Sequence, residues 1–241
     1  MKQAVLFLLL AAAPLTAQSG GFPAECRRRA EPVWQKALEH PFLTALSDGT
    51  LPREKFRFYL EQDLLYLREF SRLLLELAAK APDPDHARTL ARHASEAIAE
   101  EAALHASILG LRPQQERSAE LAFRMAPTNL AYVNHLKAAA GRGPFLEGMA
   151  AVLPCYWIYM DAGKRLASKN PPVAEYRQWI RQYASPDYAK SVREAIAIFD
   201  AAAAGAPPEI RSRAMEAFER SVRYEWMFWE MAWRQETWPP Q

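Results

Sequence analysis

Cys155, Glu225 and Asp63 are the residues of this 241-residue chain whose type and setting best suit covalent and proton-transfer chemistry. Cys155 lies in the apolar run Met149-Ala-Ala-Val-Leu-Pro-Cys-Tyr-Trp-Ile-Tyr159, directly after Pro154. The run has helical length, so an interior proline removes a backbone hydrogen bond and crowds the carbonyl of Ala150, at a cost of roughly 3 kcal/mol. Such a kink frees polar backbone and opens room for a ligand, and Tyr159 follows Cys155 one turn later on the same face. Cys155 is therefore either a nucleophile in a pocket or a small buried core residue, as most free cysteines are.

The carboxylates pose the same question. Asp63 sits in Phe58-Tyr-Leu-Glu-Gln-Asp-Leu-Leu-Tyr-Leu67 with Tyr66 three residues on. An acid among such neighbours faces solvent or is buried for a reason. Glu225 is flanked by Tyr224 and Trp226, with Phe228 and Trp229 one turn beyond. It is either a functional acid or the partner of an arginine such as Arg223 or Arg220. Tyr132 and Tyr183 lie on aromatic helical stretches, where a ring most often fills the core with its hydroxyl satisfied. Glu96, Glu100, Glu101 and His105 have the spacing of a two-iron helical site, although a solvated or structural face is the commoner origin of such a pattern.

The elements that must position these groups are helices. From residue 23 onward the apolar residues recur with helical period, and no run alternates as a strand does. A first helix starts at Pro23, carries Trp34 and Leu38, and stops before His40-Pro41. Ser47-Asp-Gly-Thr50 is a turn, with Thr50 as the cap of a helix that runs to about Lys80. Pro82-Asp-Pro-Asp85 breaks it, and a third helix spans about 86–109. Residues 112–116 form a short connection, and Ala126-Pro127-Thr128 opens a helix through Tyr132 to about Ala140. Gly141-Arg-Gly143 leads into the proline-cysteine helix, expected over about 145–168. Asn170-Pro-Pro172, Ser185-Pro186 and Gly205-Ala-Pro-Pro208 mark further boundaries. The last helix spans about 209–233. One all-α domain of seven or more helices follows.

Composition narrows the function. The net charge of +2 with interspersed signs leaves no footprint for nucleic acid. No phosphate-binding glycine loop is present among nine glycines, and two distant cysteines give no zinc spacing. At the N-terminus Lys2 precedes the apolar run Ala4-Val-Leu-Phe-Leu-Leu-Leu-Ala-Ala-Ala13 and the small-residue exit Pro14-Leu-Thr-Ala17. That pattern is a secretory signal over residues 1–19, the alternative being an uncleaved anchor that is short for a bilayer. The mature chain is then exported, to the periplasm or beyond, with no membrane contact after cleavage. A single Cys26–Cys155 bridge adds little to a core of this size and would consume a nucleophile, so free thiols are expected.

Taken in order, His40-Pro-Phe42, Asp48-Gly-Thr-Leu-Pro52, Phe56-Arg-Phe-Tyr-Leu-Glu-Gln-Asp63, Leu153-Pro-Cys-Tyr-Trp-Ile-Tyr159, Trp179-Ile-Arg-Gln-Tyr183 and Glu225-Trp-Met-Phe-Trp229 resemble the TenA (thiaminase II) family. The resemblance covers about residues 22–236 and leaves 237–241 as a tail. It implies a heme-oxygenase-like all-helical fold, a homotetramer, and no metal or organic cofactor. It also implies a small pyrimidine substrate, with hydrolysis at the methylene of 4-amino-2-methylpyrimidines. Aminomethylpyrimidine or thiamin would give the hydroxymethylpyrimidine of thiamin salvage.

By position Cys155 matches the family nucleophile and Glu225 the acid/base. Asp63 matches the carboxylate on the aminopyrimidine edge, and Tyr66 and Phe228 the stacking aromatics. Tyr132, Tyr159 and Tyr183 match the pocket phenols. The leader departs from the cytoplasmic habit of most of the family. A non-catalytic pyrimidine or thiamin carrier on the same scaffold is the alternative function; it would need the slot and Asp63, yet neither Cys155 nor Glu225.

Overall fold

The computed structural model describes residues 21–110 and 124–240. The leader at 1–19, the connection at 112–116 and the last residue of the tail lie outside them. The described residues form ten α-helices and two π-helical turns, with no strand among them. The helices are α1 Phe22–Leu38, α2 Pro41–Asp48, α3 Arg53–Lys80, α4 Pro84–Glu96, α5 Ala103–Ile108, α6 Pro127–Lys137, α7 Phe145–Leu166, α8 Ala174–Tyr183, α9 Pro186–Ala203 and α10 Pro208–Arg234. None of them is long and apolar enough to cross a membrane.

Proline and short polar residues set most of the starts. Pro41, Pro84, Pro127, Pro186 and Pro208 each lie in the first turn of a helix, where the missing N–H has no intrahelical role. Asp83 Oδ1 accepts from the Asp85 N–H at 2.7 Å, and Ser185 Oγ accepts from the Tyr188 N–H at 3.1 Å. These are the bonds that an N-terminal cap supplies.

Three boundaries differ from the sequence expectation. Residues 41–48 form a helix of their own, ended by Gly49 at φ 78°, a left-handed position that glycine takes without strain. Thr50 is consequently no cap for α3: its N–H donates to the Ala45 carbonyl at 2.9 Å and finishes α2, while Pro52 precedes α3. The stretch expected as one helix over 86–109 is interrupted by a π turn at Ala97–Ala102. A second π turn, Ala138–Arg142, follows α6. Lys80 Nζ satisfies the freed carbonyls there, 2.5 Å from Ala140 O and 2.6 Å from Gly141 O. Pi turns of this kind tend to mark functional regions.

Helix α7 is the axis of the bundle. Residues 148–156 are all buried, as expected of a helix apolar on every side. It continues through Pro154 without losing helical assignment and ends at Leu166, slightly before the expected end. Helices α9 and α10 pack along it, α1 lies on α10, and α3 crosses beside α4. Gly163 decides one of these contacts: a methyl group there would overlap the backbone of Tyr183 and Ala184. Its absence lets the end of α8 press against α7, and the Tyr183 ring meets Tyr159 at 4.8 Å.

Candidate active site

Five helices send the expected site residues to one interior region. Helix α3 supplies Asp63 and Tyr66, α6 supplies Tyr132, α7 supplies Cys155 and Tyr159, and α10 supplies Glu225 and Phe228, while α8 closes the group with Tyr183. All eight are buried or nearly so. Their rings form two groups that Tyr59 and Trp229 join. Tyr66 meets Tyr132 at 5.2 Å and Phe228 at 5.7 Å between centroids. Phe228 meets Tyr59 at 6.1 Å, and Trp229 packs on Tyr59 at 5.5 Å and on Tyr159 at 5.0 Å. Tyr159 meets Tyr183 at 4.8 Å. A charge on Cys155 acts on both Tyr66 and Tyr132, which places the thiol beside these two phenols.

Asp63 is held by a hub that the sequence reading left out. The Tyr59 hydroxyl donates to Asp63 Oδ2 at 2.9 Å. It accepts from Trp179 Nε1 at 3.1 Å and lies 3.3 Å from the Tyr159 hydroxyl. With its one proton committed to Asp63, Tyr59 leaves its lone pairs to Trp179 and Tyr159. Burial pushes the Asp63 carboxyl up to about 7, and the Tyr59 hydrogen bond opposes that shift. The imidazole Nδ1 of His105 stands 3.4 Å from Asp63 Oδ2. His105 is fully buried and burial lowers it to about 3, so the ring is neutral at physiological pH. Neither ring nitrogen has a hydrogen-bond partner of good geometry.

Glu225 is no surface ion pair. Its Oε1 accepts from the Tyr132 hydroxyl at 2.5 Å, while Arg223 turns to Glu219 at 3.8 Å. Burial raises Glu225 to about 8; Tyr132 opposes the shift and the charge of Asp63 adds to it. At neutral pH Glu225 therefore carries a proton that it can give up to a base in the pocket. Two buried acids, a thiol and a ring of phenols together suit a flat heteroaromatic with polar edges.

The remaining expectations sort cleanly. Both cysteines are free. Cys26 is fully buried in α1, and desolvation pushes its thiol up to about 12, which makes it inert. Of the four residues with two-iron spacing, Glu96 binds Arg92 at 2.6 Å and His105 stands 3.4 Å from Asp63, while the side chains of Glu100 and Glu101 lie outside those described. No group of three or more potential metal ligands occurs among the described residues. Tyr59, His105 and Trp179 are members of the site that were not among the expected eight, and Trp229 joins them by packing on Tyr159 at 5.0 Å. Tyr59 lies one turn before Asp63 and Trp179 one turn before Tyr183, a signal that was available in the pattern. His105 is brought in by the π turn ahead of α5, which no periodicity announces.

Comparison with known proteins identifies the family and the fold. Residues 27–235 match the TENA/THI-4/PQQC family. The aminopyrimidine aminohydrolase of Bacillus subtilis (strain 168) is 36% identical over 217 residues, which cover 90% of this chain and 92% of that protein. A TenA homologue from P. horikoshii OT3 superimposes with a TM-score of 0.79 at 31% identity, covering 89% of this chain and 99% of the other. A protein of heme oxygenase-like fold from Shewanella denitrificans OS217, at 13% identity, shares the fold with a TM-score of 0.67 over 88% of this chain and 92% of its own. The bundle is thus heme-oxygenase-like, and the chain belongs to the TENA/THI-4/PQQC family.

Proposed function

We propose that the protein is a cysteine-dependent hydrolase that cleaves at the methylene of 4-amino-2-methylpyrimidines and serves thiamin salvage. The observation that carries this reading is the convergence of Cys155, Asp63 and Glu225 among one buried cluster of aromatic rings. The similarity to a named aminopyrimidine aminohydrolase supports it. The pyrimidine ring stacks against Tyr66 and Phe228, and Asp63 holds its aminopyrimidine edge. Tyr159 and Tyr183 line the slot. Glu225 protonates a ring nitrogen as the Cys155 thiolate adds to a ring carbon, and the electron pair released expels the amine or thiazole from the methylene. Water then adds to the methylene, and loss of the thiolate with return of the ring proton to Glu225 restores the aromatic ring. In the net reaction the hydroxyl of water ends on the methylene, and its proton leaves with the amine or, when thiazole is expelled from thiamin, passes to solvent.

The export leader gives this activity a place outside the inner membrane, where it would recover thiamin breakdown products. Cell fractionation tests that: intact leader in the cytosol would remove the assignment. The assembly is proposed to be a homotetramer, a reading supported by the family resemblance and by exposed Leu130, Met227 and Trp238; light scattering on purified protein decides it. The function itself is tested by release of hydroxymethylpyrimidine from aminomethylpyrimidine and, in parallel, from thiamin, with Cys155→Ala as comparison. Turnover in the unaltered protein alone supports the hydrolase. Tight pyrimidine binding without turnover points instead to a carrier.

A further inference from the structure

Residues beyond α10 are not a free tail. Gln235 ends α10 at φ 51°, the only left-handed non-glycine residue among those described. Such a position persists where its surroundings over-determine it. The turn sends Glu236 back to the start of α6, where its carboxylate accepts from the Thr128 N–H at 2.9 Å and from Thr128 Oγ1 at 3.2 Å. Trp238 Nε1 then donates to the Met125 carbonyl at 2.8 Å. Helix α6 has no capping side chain of its own, since Ala126 precedes it. Glu236 fills that role from 108 residues away, and a carboxylate also suits the positive end of the helix.

The inner side of the same segment is fastened to α3. Gln62 Oε1 accepts from the Ala126 N–H at 2.8 Å, Gln62 Nε2 donates to the Arg124 carbonyl at 3.0 Å, and Asn129 Nδ2 donates to Gln62 O at 2.8 Å. The start of α6 is therefore held on the inside by the neighbour of Asp63 and on the outside by the C-terminal segment. Thr128 lies one turn before Tyr132, whose hydroxyl binds Glu225 on α10. The C-terminal element thus contacts α6 twice, once at its N-terminus and once at the functional acid.

We propose that residues 235–238 are a clasp and that Glu236 is a positioning residue, setting α6 so that Tyr132 meets Glu225. The catalytic part of this inference rests on the hydrolase reading; the mechanical part does not. Two measurements on Glu236→Ala, Glu236→Gln and a chain ending at Gln235 separate them. The first is amide hydrogen exchange over residues 124–137. Glu236→Ala and the shortened chain are expected to exchange faster there with α7 unchanged, whereas Glu236→Gln, which keeps the acceptor, should stay close to the unaltered protein.

The second measurement is kinetics with aminomethylpyrimidine. A misplaced Tyr132 is expected to lower kcat by about tenfold in Glu236→Ala with KM within about twofold, and Glu236→Gln should recover most of the loss. Unchanged exchange in Glu236→Ala overturns the clasp. Faster exchange with kcat intact overturns the positioning role and leaves Glu236 a purely structural cap. If the unaltered protein releases no product, the hydrolase reading fails, and the exchange experiment still decides the clasp.

Discussion

The Tyr132 hydroxyl and the Glu225 carboxyl meet at 2.5 Å inside the bundle, joining α6 to α10 through two groups that are each fully buried. The bond favours the ionised form of Glu225 and so works against burial, which holds the acid up at about 8. Removing the phenol should therefore move Glu225 to still higher pH. In Tyr132→Phe the limb of the pH–rate profile that belongs to Glu225 is expected to shift upward, with kcat down by about tenfold through the loss of one hydrogen bond to a reacting acid. A limb that stays in place would separate Tyr132 from the acid.

Cys155 and Cys26 offer an internal comparison of two thiols in one chain. Burial holds Cys26 up at about 12, whereas Cys155 lies beside Tyr66 and Tyr132 at the edge of accessibility, 9% exposed. Alkylation with iodoacetamide at neutral pH should therefore label Cys155 and spare Cys26 in folded protein, as read by mass spectrometry of peptides. Hydroxymethylpyrimidine should protect Cys155. Cys155→Ala is expected to retain pyrimidine affinity within a few-fold, because the aromatic slot and Asp63 remain.

Asp63 should behave in the opposite way. Its carboxyl is held by Tyr59 and faces His105, and it is the group assigned to the polar edge of the substrate. Asp63→Ala is expected to weaken pyrimidine binding by about tenfold or more, the scale of losing a hydrogen bond to a charged group. It should lower the rate as well, and titration calorimetry with hydroxymethylpyrimidine checks the binding part directly. Equal affinity in the variant would place the substrate edge elsewhere, with His105 the next group to change.

Most of the bundle was legible from punctuation in the chain. Proline pairs and Gly-rich joints at residues 141–143, 170–172, 185–186 and 205–208 fall where helices end or begin, because proline lacks the N–H that a helix interior needs. The eight residues drawn from local neighbours and family resemblance also converge, since each sits on the apolar side of its helix, where burial follows from periodicity. What periodicity cannot convey is where the register changes. The π turn at Ala97–Ala102 rotates the residues after it, and His105 reaches Asp63 by that route. Thr50 misled for a related reason: a threonine ahead of a proline-led helix suits a cap, yet Gly49 turns the chain so that Thr50 closes α2 and the cap position of α3 falls two residues later, at Pro52. Glu236 lay beyond the last apolar repeat, where nothing local signals a bond to Thr128.

Gly163 is the point at which packing, rather than chemistry, shapes the slot. A Cβ there meets the backbone of Tyr183 and Ala184, which has no rotamer to yield. Gly163→Ala gains helix propensity of about 1 kcal/mol, but overpacking against backbone costs about 1–3 kcal/mol. The larger effect should win, giving a lower Tm by thermal denaturation. Because α8 must retreat, Tyr183 should separate from Tyr159, and KM for aminomethylpyrimidine is expected to rise. A stabilised variant with unchanged KM would show that α8 accommodates the methyl at no cost.

The buried acids should also be visible in stability itself. Asp63 and Glu225 are raised from ordinary values of 3.8 and 4.5 to about 7 and about 8 in the folded protein. The folded state therefore holds protons that the unfolded chain has released, and stability falls as pH rises from about 4 through about 8. His105 and His135, lowered to about 3 and about 4, act in the reverse direction, but only below the ordinary histidine value of 6.5. Between pH 6.5 and 8.5 the carboxyls dominate, and the thiol of Cys26 contributes only at the top of that range. The unaltered protein should accordingly lose stability across this interval, by an amount on the order of 1 kcal/mol for each unit of pH per proton held. Glu225→Gln, which keeps an acceptor for Tyr132 without a charge to bury, should flatten that slope. Urea unfolding at pH 6.5, 7.5 and 8.5 measures both slopes, and an unchanged slope in the variant would mean that Glu225 is already ionised in the folded protein.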